Sequence, residues 1–483
     1  MNQTLATISR LSRRHAIALL ALFFALGGTS YAAYPAATKL LPKNRVGSAQ
    51  VINGSLQKVD FSRKTIAALK GARGGQGARG AAGPAGPAGP KSDAGAQGAK
   101  GDLGAQGSQG IQGIQGPTGP AIVRSGPGAN VLAALDSTGD TGEYTSATIG
   151  ADGLGLISYY DATNHDLKVA HCNNAACTSA SKWTLDSVGD VGLYQTSVTI
   201  GADGLGLISY FDATNDDLKV AHCDNTACTS ASLHIVDSST AVGWFSSVAI
   251  GADGLGLISY TDVANSDLKV AHCNDTACTS ASTSTLDSTV IGGQTSMVIG
   301  ADGLGLISYA DGINWDLKVA HCNNTACTSA GLNTLDSAGS VGYYSSATVG
   351  ADGLGLISYY DGTNGYLNVA HCNDAPCTSA FLSALDSTAG TFNSATIGAD
   401  GLGLISYTGG GGNADLKVAH CNNTLCAGAS TSTLDSPDLV GQHTSVTIGA
   451  DGLGLISYFD DSNGDLKVAH CSNTFCVPYF RRR

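Results

Sequence analysis

The sequence predicts an all-β protein, a seven-bladed β-propeller of four-stranded blades preceded by a Gly-X-Y stalk. Three observations carry this reading. First, "IGADGLGLISYYDATNHDLKVAHCNNAACTSA", from Ile149 to Ala180, returns in near copies at Ile200, Ile250, Ile299, Val349, Ile397 and Ile448, and the shared glycines Gly150, Gly201, Gly251, Gly300, Gly350, Gly398 and Gly449 lie 48 to 51 residues apart. Second, each copy divides into four short segments ("TSATIGAD", "LGLISYYD", "DLKVAHC" and "TSASKWTLDS" in the first), rich in Thr, Val, Ile, Leu and Tyr and separated by Asp-Gly and Asn-rich turns. None has helical periodicity, and four strands in a unit of this length describe a propeller blade. Third, the last copy stops soon after Cys476 without a fourth segment, while a spare one, "ANVLAALDS", precedes the first copy at residues 129–137. A ring needs that offset, because the N-terminal strand can then complete the last blade and leave no open end.

Taken in order, residues 1–32 read as an export signal. Arg10, Arg13 and Arg14 precede an apolar run from Ala16 to Leu26, and Ser30-Tyr31-Ala32 offers small residues for cleavage. The run is short for a spanning helix, which needs about 20 residues. The paired arginines lack the bulky apolar residue that a twin-arginine signal carries at the position of Ala16. Residues 33–70 form a linker or a small trimeric β segment, with apolar residues every fifth place at Val46, Val51, Leu56, Phe61 and Ile66. The mature protein is expected to be secreted or held at the cell surface.

From Gly71 to Ala121 glycine occupies every third place, with one lapse at Ser92. Three polyproline-like strands need glycine at their shared axis, so residues 71–121 read as a triple-helical stalk, on the order of 150 Å long at about 3 Å per residue. The prolines Pro84, Pro87, Pro90, Pro117 and Pro120 all take the second place of the triplet, which makes for a marginal helix; a disordered linker of the same composition is the alternative. The tract resembles bacterial secreted collagen-like proteins, and the resemblance implies a homotrimer. The rest, residues 122–483, is the propeller.

Charge divides the chain. Residues 34–124 carry twelve Lys or Arg and three Asp, a net of +9, whereas residues 125–483 carry ten Lys or Arg and thirty-five Asp or Glu, a net of −25. A ring so acidic repels phosphate backbones, which excludes nucleic acid as its partner. The basic arm suits an anionic wall polymer or membrane surface of the cell envelope, or is simply a solvated linker.

All fourteen cysteines fall in C-x4-C pairs around the turn between third and fourth strands: Cys172/Cys177, Cys223/Cys228, Cys273/Cys278, Cys322/Cys327, Cys372/Cys377, Cys421/Cys426 and Cys471/Cys476. Directly opposed strand residues approach disulfide spacing, and an exported chain meets an oxidising compartment, so these are expected to be disulfides. A metal reading that adds His171 to Cys172 fails because adjacent strand residues point to opposite faces and a fourth ligand is missing. The repeated histidines (His171, His222, His272, His321, His371, His420 and His470) are expected to be structural, bonded to a Ser or Asp of the next strand. Asp152 and its equivalents open a tight Asp-Gly turn.

Asp161, Asn164 and Asp166 place three oxygen donors within six residues, and related triplets recur in other copies. Calcium is the ligand such a set would take, although the spacing is not that of an EF-hand and Asx-rich turns look alike. No other cofactor is expected.

The connections between fourth and first strands, and between second and third, vary from copy to copy and lie on one face of a propeller. That face gathers Tyr144, Tyr160, Tyr194, Phe211, Trp244, Phe245, Trp315, Tyr343, Tyr344, Tyr360, Phe392 and Phe459 among Asp and Asn residues. Aromatic planes beside carboxylates and amides suit sugar rings, and also protein partners. With "SYYDATNHDLK" the repeat resembles propellers of the sialidase-like and propeller-lectin group. Sialidase catalysis does not follow from that resemblance: no arginine stands between Arg124 and Arg481, and Glu143 is the only glutamate, so a Glu-based glycosidase pair is absent as well. The expected function is a multivalent, lectin-like binding protein without enzymatic activity. A structural or adhesive surface protein and an Asp-based hydrolase are the alternatives.

Overall fold

The computed structural model describes residues 129–289, 291–388, 390–409, 414–436 and 439–477; the signal, linker and Gly-X-Y segments lie outside these. Their strands form seven antiparallel four-stranded sheets, an all-β seven-bladed propeller. Each copy of the repeat folds so that its first strand lies nearest the axis. These inner strands are Thr141–Ile149, Ser197–Ile200, Val242–Ile250, Ile291–Ile299, Tyr343–Val349, Thr391–Ile397 and Val440–Ile448, and each packs beside the inner strand of the next blade. In the first blade Gly155–Asp161, Asp166–Cys172 and Ala180–Asp186 follow outward.

The seventh blade is completed from the other end of the chain. Val131–Asp136 lies antiparallel to Asp465–His470, with Val131 opposite His470 and Leu132 opposite Ala469. Asn130 clasps the junction: its Nδ2 donates to the Cys476 carbonyl at 3.1 Å, and its Oδ1 accepts from the Ser472 amide at 2.8 Å. Every blade therefore has two neighbours, and no sheet face is left at an end.

The second strand "GLISYYD" is buried along its whole length, because both its faces meet apolar surface. Between the first two blades Leu156, Leu167 and Val169 pack against Ile208, Tyr210, Ala221 and Cys223, and the same cluster recurs at the other joints. Each fully buried Leu, Ile or Val contributes about 1.5–3 kcal/mol. Gly155 opens this strand under compulsion: a Cβ there would sit 2.7 Å from Cys172 Sγ and 2.7 Å from a methyl of Leu455 in the neighbouring blade.

Polar bolts cross the same joints. In the first blade Tyr159 Oη donates to Asp136 Oδ2 at 2.8 Å and Lys168 Nζ to the same oxygen at 2.7 Å, and Asp136 belongs to the outer strand of the seventh blade. Around the ring Tyr210 and Lys219 meet Asp186, Tyr260 and Lys269 meet Asp237, Tyr309 and Lys318 meet Asp287, Tyr407 and Lys417 meet Asp386, and Tyr458 and Lys467 meet Asp435. The fifth blade alone departs. Tyr359 reaches Asp336 at 2.7 Å, but Asn368 stands where the lysine would be and its buried Oδ1 has no partner among the described residues. With Lys182 bonded to Asp136 at 2.9 Å, all seven lysines of the described residues are committed to these bolts.

All seven disulfides are present, with Cα atoms 4.7 to 4.8 Å apart. The pairing is the expected one, but the placement of the second cysteine is a correction in every blade. A bridge between directly opposed strand residues was expected, whereas Cys172 stands in register with Ala180, and Cys223, Cys273, Cys322, Cys372 and Cys421 likewise face Ala231, Ala281, Ala330, Ala380 and Ala429. The partners Cys177, Cys228, Cys278, Cys327, Cys377, Cys426 and Cys476 lie outside the strands, inside the turn, with left-handed backbone at φ 50° to 54°. Four intervening residues are too few to carry the chain round and back into register, so the second sulfur is reached before the fourth strand begins. The bridge thus staples the turn itself, which Asn174 also holds by accepting from the Thr178 amide at 3.2 Å.

The histidines find a different partner from the next strand. His171 Nε2 bonds Asp152 Oδ2 at 2.8 Å within its own blade, while Asp152 Oδ1 accepts from the Leu154 amide at 3.0 Å. Six equivalent pairs repeat this at 2.8 to 2.9 Å, so the Asp-Gly turn and the third strand are fastened to each other.

Candidate functional site

The inner strand explains why one end of the axis is chemically distinct. In the first blade Glu143 lies opposite Tyr160 and Ser146 opposite Ser158, so Tyr144 and Thr145 form a bulge. Tyr144 takes φ 53°, and Phe245, Tyr344, Phe392 and His443 take 48° to 53° at the equivalent place. One extra residue in the second blade puts Tyr194 there, followed by Gln195, and in the fourth Gln294 stands at the collar position, two places before Ser296. Left-handed backbone is uncommon for bulky residues, and the bulge imposes it here.

These residues form an arc around the channel mouth. Ring centroids are 4.6 Å apart for Tyr344 and Phe392, 4.5 Å for Phe392 and His443, 4.3 Å for His443 and Tyr144, and 6.3 Å from Tyr144 to Tyr194 and from Tyr194 to Phe245. The arc is broken at the fourth blade. Burial drives the His443 imidazole down to about 3, which keeps it neutral and consistent with its aromatic neighbours.

Beneath the collar lies an axial cavity of about 160 Å³ lined by Ser, Thr, Asn and Gln side chains. Each "TS" or equivalent dipeptide divides its work. The first residue bonds a serine of the preceding blade's second strand, as Thr196 does with Ser158 at 2.7 Å and Thr295 with Ser259 at 2.8 Å. The second, a serine in all seven blades, accepts the amide N–H of the next inner strand at 3.0 to 3.1 Å, closing a ring from Ser146 round to Ser445. Gln195, in the same lining, has a buried Oε1 without a partner among the described residues. Among the described residues, Tyr144 and neutral His443 are the only ionisable groups that line the cavity.

Of the aromatic residues expected on this face, Tyr144, Tyr194, Phe245, Tyr344 and Phe392 build the collar. Trp244 stacks on Tyr194 at 4.2 Å and 22°, and Trp315 on Tyr343 at 4.4 Å and 18°. Tyr360 is half-buried opposite Tyr343. Tyr160, Phe211 and Phe459 are a correction: they are only 1 to 2% exposed, because their strand is packed on both faces, and they support the collar instead of offering a surface. His443, Gln195 and Gln294 were missed by counting aromatic residues alone. Their signal was positional, since His443 and Gln294 stand two places before the inner-strand serine, as Tyr144 does.

The triplet Asp161, Asn164 and Asp166 is brought together as an Asx turn. Asp161 Oδ1 accepts from the Thr163 and Asn164 amides at 3.1 and 3.0 Å, its Oδ2 accepts from Asn164 Nδ2 at 3.0 Å, and Lys168 Nζ lies 3.4 Å from Oδ2. Burial raises the Asp166 carboxyl, as does Asp161 beside it. A different carboxyl is the perturbed one at the mouth: burial, then the nearby Asp140 and Asp461, pushes Glu143 up to about 7.

The family model for the collagen triple helix repeat matches residues 67–124, which places a collagen-like region ahead of the propeller. No curated protein matches the sequence. Among solved structures, the chain is similar to a protein of unknown function from Dyadobacter fermentans (12% identity, 71% of this chain and 97% of that one, TM-score 0.46). It is also similar to AofleA from Arthrobotrys oligospora (9%, 64% and 90%, 0.41) and to a mutant of NanB sialidase from Streptococcus pneumoniae (9%, 70% and 68%, 0.41). Such low identities say nothing of what this chain binds.

Proposed function

We propose that the ring is a carbohydrate-binding module, exported and presented on a collagen-like stem that joins three copies. The observation that carries the reading is the aromatic collar over an uncharged, hydroxyl-lined cavity. Pyranose rings offer apolar faces to such a collar and hydroxyl edges to such a lining. The commitment of every lysine to a bolt supports a neutral ligand, since no lysine among the described residues is left to meet a carboxylate or phosphate. The differences between collar residues also argue against seven equal sites, so avidity would come from the stem. The seven disulfides and the collagen-like repeat are typical of extracellular proteins.

The test is binding of the full-length protein to a panel of neutral and acidic glycans, in calcium and in chelator, beside Tyr344→Ala/Phe392→Ala. Selective binding of neutral glycans that the double variant loses supports the reading. Silence towards every glycan removes it and leaves a structural or adhesive role. Glu143 favours a second reading, a glycoside hydrolase, because a buried carboxyl pushed up to about 7 beside two further carboxyls, Asp140 and Asp461, has the character of a general acid. Release of reducing ends from a bound glycan, abolished by Glu143→Gln, would establish it.

A further inference from the structure

The chain enters the ring at one edge. Asn130, whose side chain is fixed to the Cys476 carbonyl and the Ser472 amide, stands six residues beyond Arg124, where the match to the collagen triple helix repeat ends. Six residues reach at most about 22 Å, so in a trimer the same edge of three rings stays within about 45 Å. Tethers of that length hold the rings at millimolar effective concentration. A contact too weak to join free rings is then sufficient, and the surface beside Asn130 is the one best placed to make it.

That edge is unlike the rest of the rim. Among the described residues seven large apolar side chains are exposed on outer strands or on the turns between third and fourth strands. Five of them, Leu132, Phe381, Leu382, Leu425 and Phe475, fall in the fifth, sixth and seventh blades at 40 to 49% exposure. Folding of the blade does not require them. Leu425 and Phe475 stand directly before the second cysteine of their turns, where the other five blades have Ala176, Ala227, Ala277, Ala326 and Pro376. Phe381 is in register with His371, a place that Ser181, Ser232, Ser282 and Ser430 take in four sister blades. The Phe475 ring lies 4.6 Å from that of His420 in the sixth blade, and the repeat gives Leu425 the same relation to His371. These side chains therefore run from blade to blade toward the entry point. The turns of the second, third and fifth blades carry Asp224, Asp275 and Asp374, whereas those of the sixth and seventh carry no charge.

We infer that this strip is where the ring meets a second copy of the same chain, three strips closing around a threefold axis. The inference rests on the stem of the proposed function joining three copies, and on no ligand. Rings that each carry a net charge of −25 over residues 125–483 repel one another, so contact between copies needs the neutral, apolar part of the rim. That is the part beside the tether. A threefold arrangement of this kind closes on itself and does not propagate. It also supplies a second contact among three chains whose Gly-X-Y tract has no proline in the third place of its triplets.

Phe381→Ser/Leu425→Ala/Phe475→Ala introduces only residues that sister blades already carry, and should leave the thermal midpoint of the ring unchanged. The full-length protein and this variant are compared by sedimentation over a dilution series and by small-angle X-ray scattering. The expected result is a trimer with its rings in contact, whose half-dissociation concentration rises at least about tenfold in the variant and whose rings then lie further apart. Phe475→Ala alone should show the same change to a smaller degree. A trimer whose dissociation and ring spacing are unaltered in the triple variant overturns the inference and keeps the stem. A monomer at every concentration overturns both. The full-length chain shortened by residues 478–483 should keep its ring spacing; if that truncation alone separates the rings, the tail and not the strip holds them, and the inference falls.

Discussion

On the face that carries the Asp-Gly turns, seven blades repeat one arrangement: a His–Asp pair at 2.8 to 2.9 Å and a disulfide that staples the adjoining turn. On the opposite face the collar residue changes around the ring from tyrosine to phenylalanine, glutamine or histidine, and one loop carries a tryptophan where others carry glycine. The contrast follows from how a ring closes. Every joint must present the same angle and the same buried surface, so residues at joints and in the turns that orient them are held constant. Residues around the mouth also meet across the joints, but their identity is free to differ there, which is where a binding surface can arise.

The largest effect is expected from breaking a joint. Asp186→Ala removes the common partner of Tyr210 and Lys219 and leaves the buried ammonium with only Asp212, at 3.5 Å, a loss of about 3 kcal/mol in urea unfolding. Acid should open the same bolts. Burial alone would raise the carboxyls of Asp136, Asp237 and Asp287, yet hydrogen bonds from lysine and tyrosine overcome it and hold each at about 2. Their stabilisation is fully present above the unfolded value near 4 and is lost as pH falls toward 2, so the thermal midpoint should drop across that window.

A smaller loss, about 2 kcal/mol in the chain-entropy description, is expected for Cys223→Ser/Cys228→Ser, because the loop it opens is short. The fifth blade permits the reverse experiment. Asn368→Lys supplies the missing cation to Asp336 and removes an orphaned buried amide oxygen, and should raise stability by about 1 kcal/mol. The mouth responds to pH in the opposite direction. Glu143, raised from 4.5 to about 7, binds its proton more tightly in the folded state, so stability should decline as pH rises from 4.5 to 7. Glu143→Gln should flatten that decline while leaving the acid transition of the bolts in place.

The blade count, the strand content and the disulfide partners were legible because they depend on local repetition: alternating β-branched residues, Asp-Gly turns and cysteines five places apart. The seat of the second cysteine was not, because spacing says which sulfurs can meet and leaves open whether they meet across strands or within the turn. The site was legible only in part. The variable loops located the right face, but Tyr160, Phe211 and Phe459 looked the same as their collar neighbours, and only packing against the next blade shows that they are buried. His443 escaped because its residue type suggested nothing, whereas its position, two places before the inner-strand serine, did.

What the sequence determined by itself was the repeating unit and the need for a ring, since seven fourth strands are offset by one from seven sets of the other three. Tertiary structure alone decided which groups meet across the joints. Asp186, of the "LDS" motif, finds Tyr210 and Lys219 in the next blade, 24 and 33 residues further on. The inner serines close a hydrogen-bonded circle, and Trp315 comes to rest on Tyr343. Strand periodicity specifies the face a side chain takes; what that face meets is set by the angle between neighbouring blades, which exists only once the circle is closed.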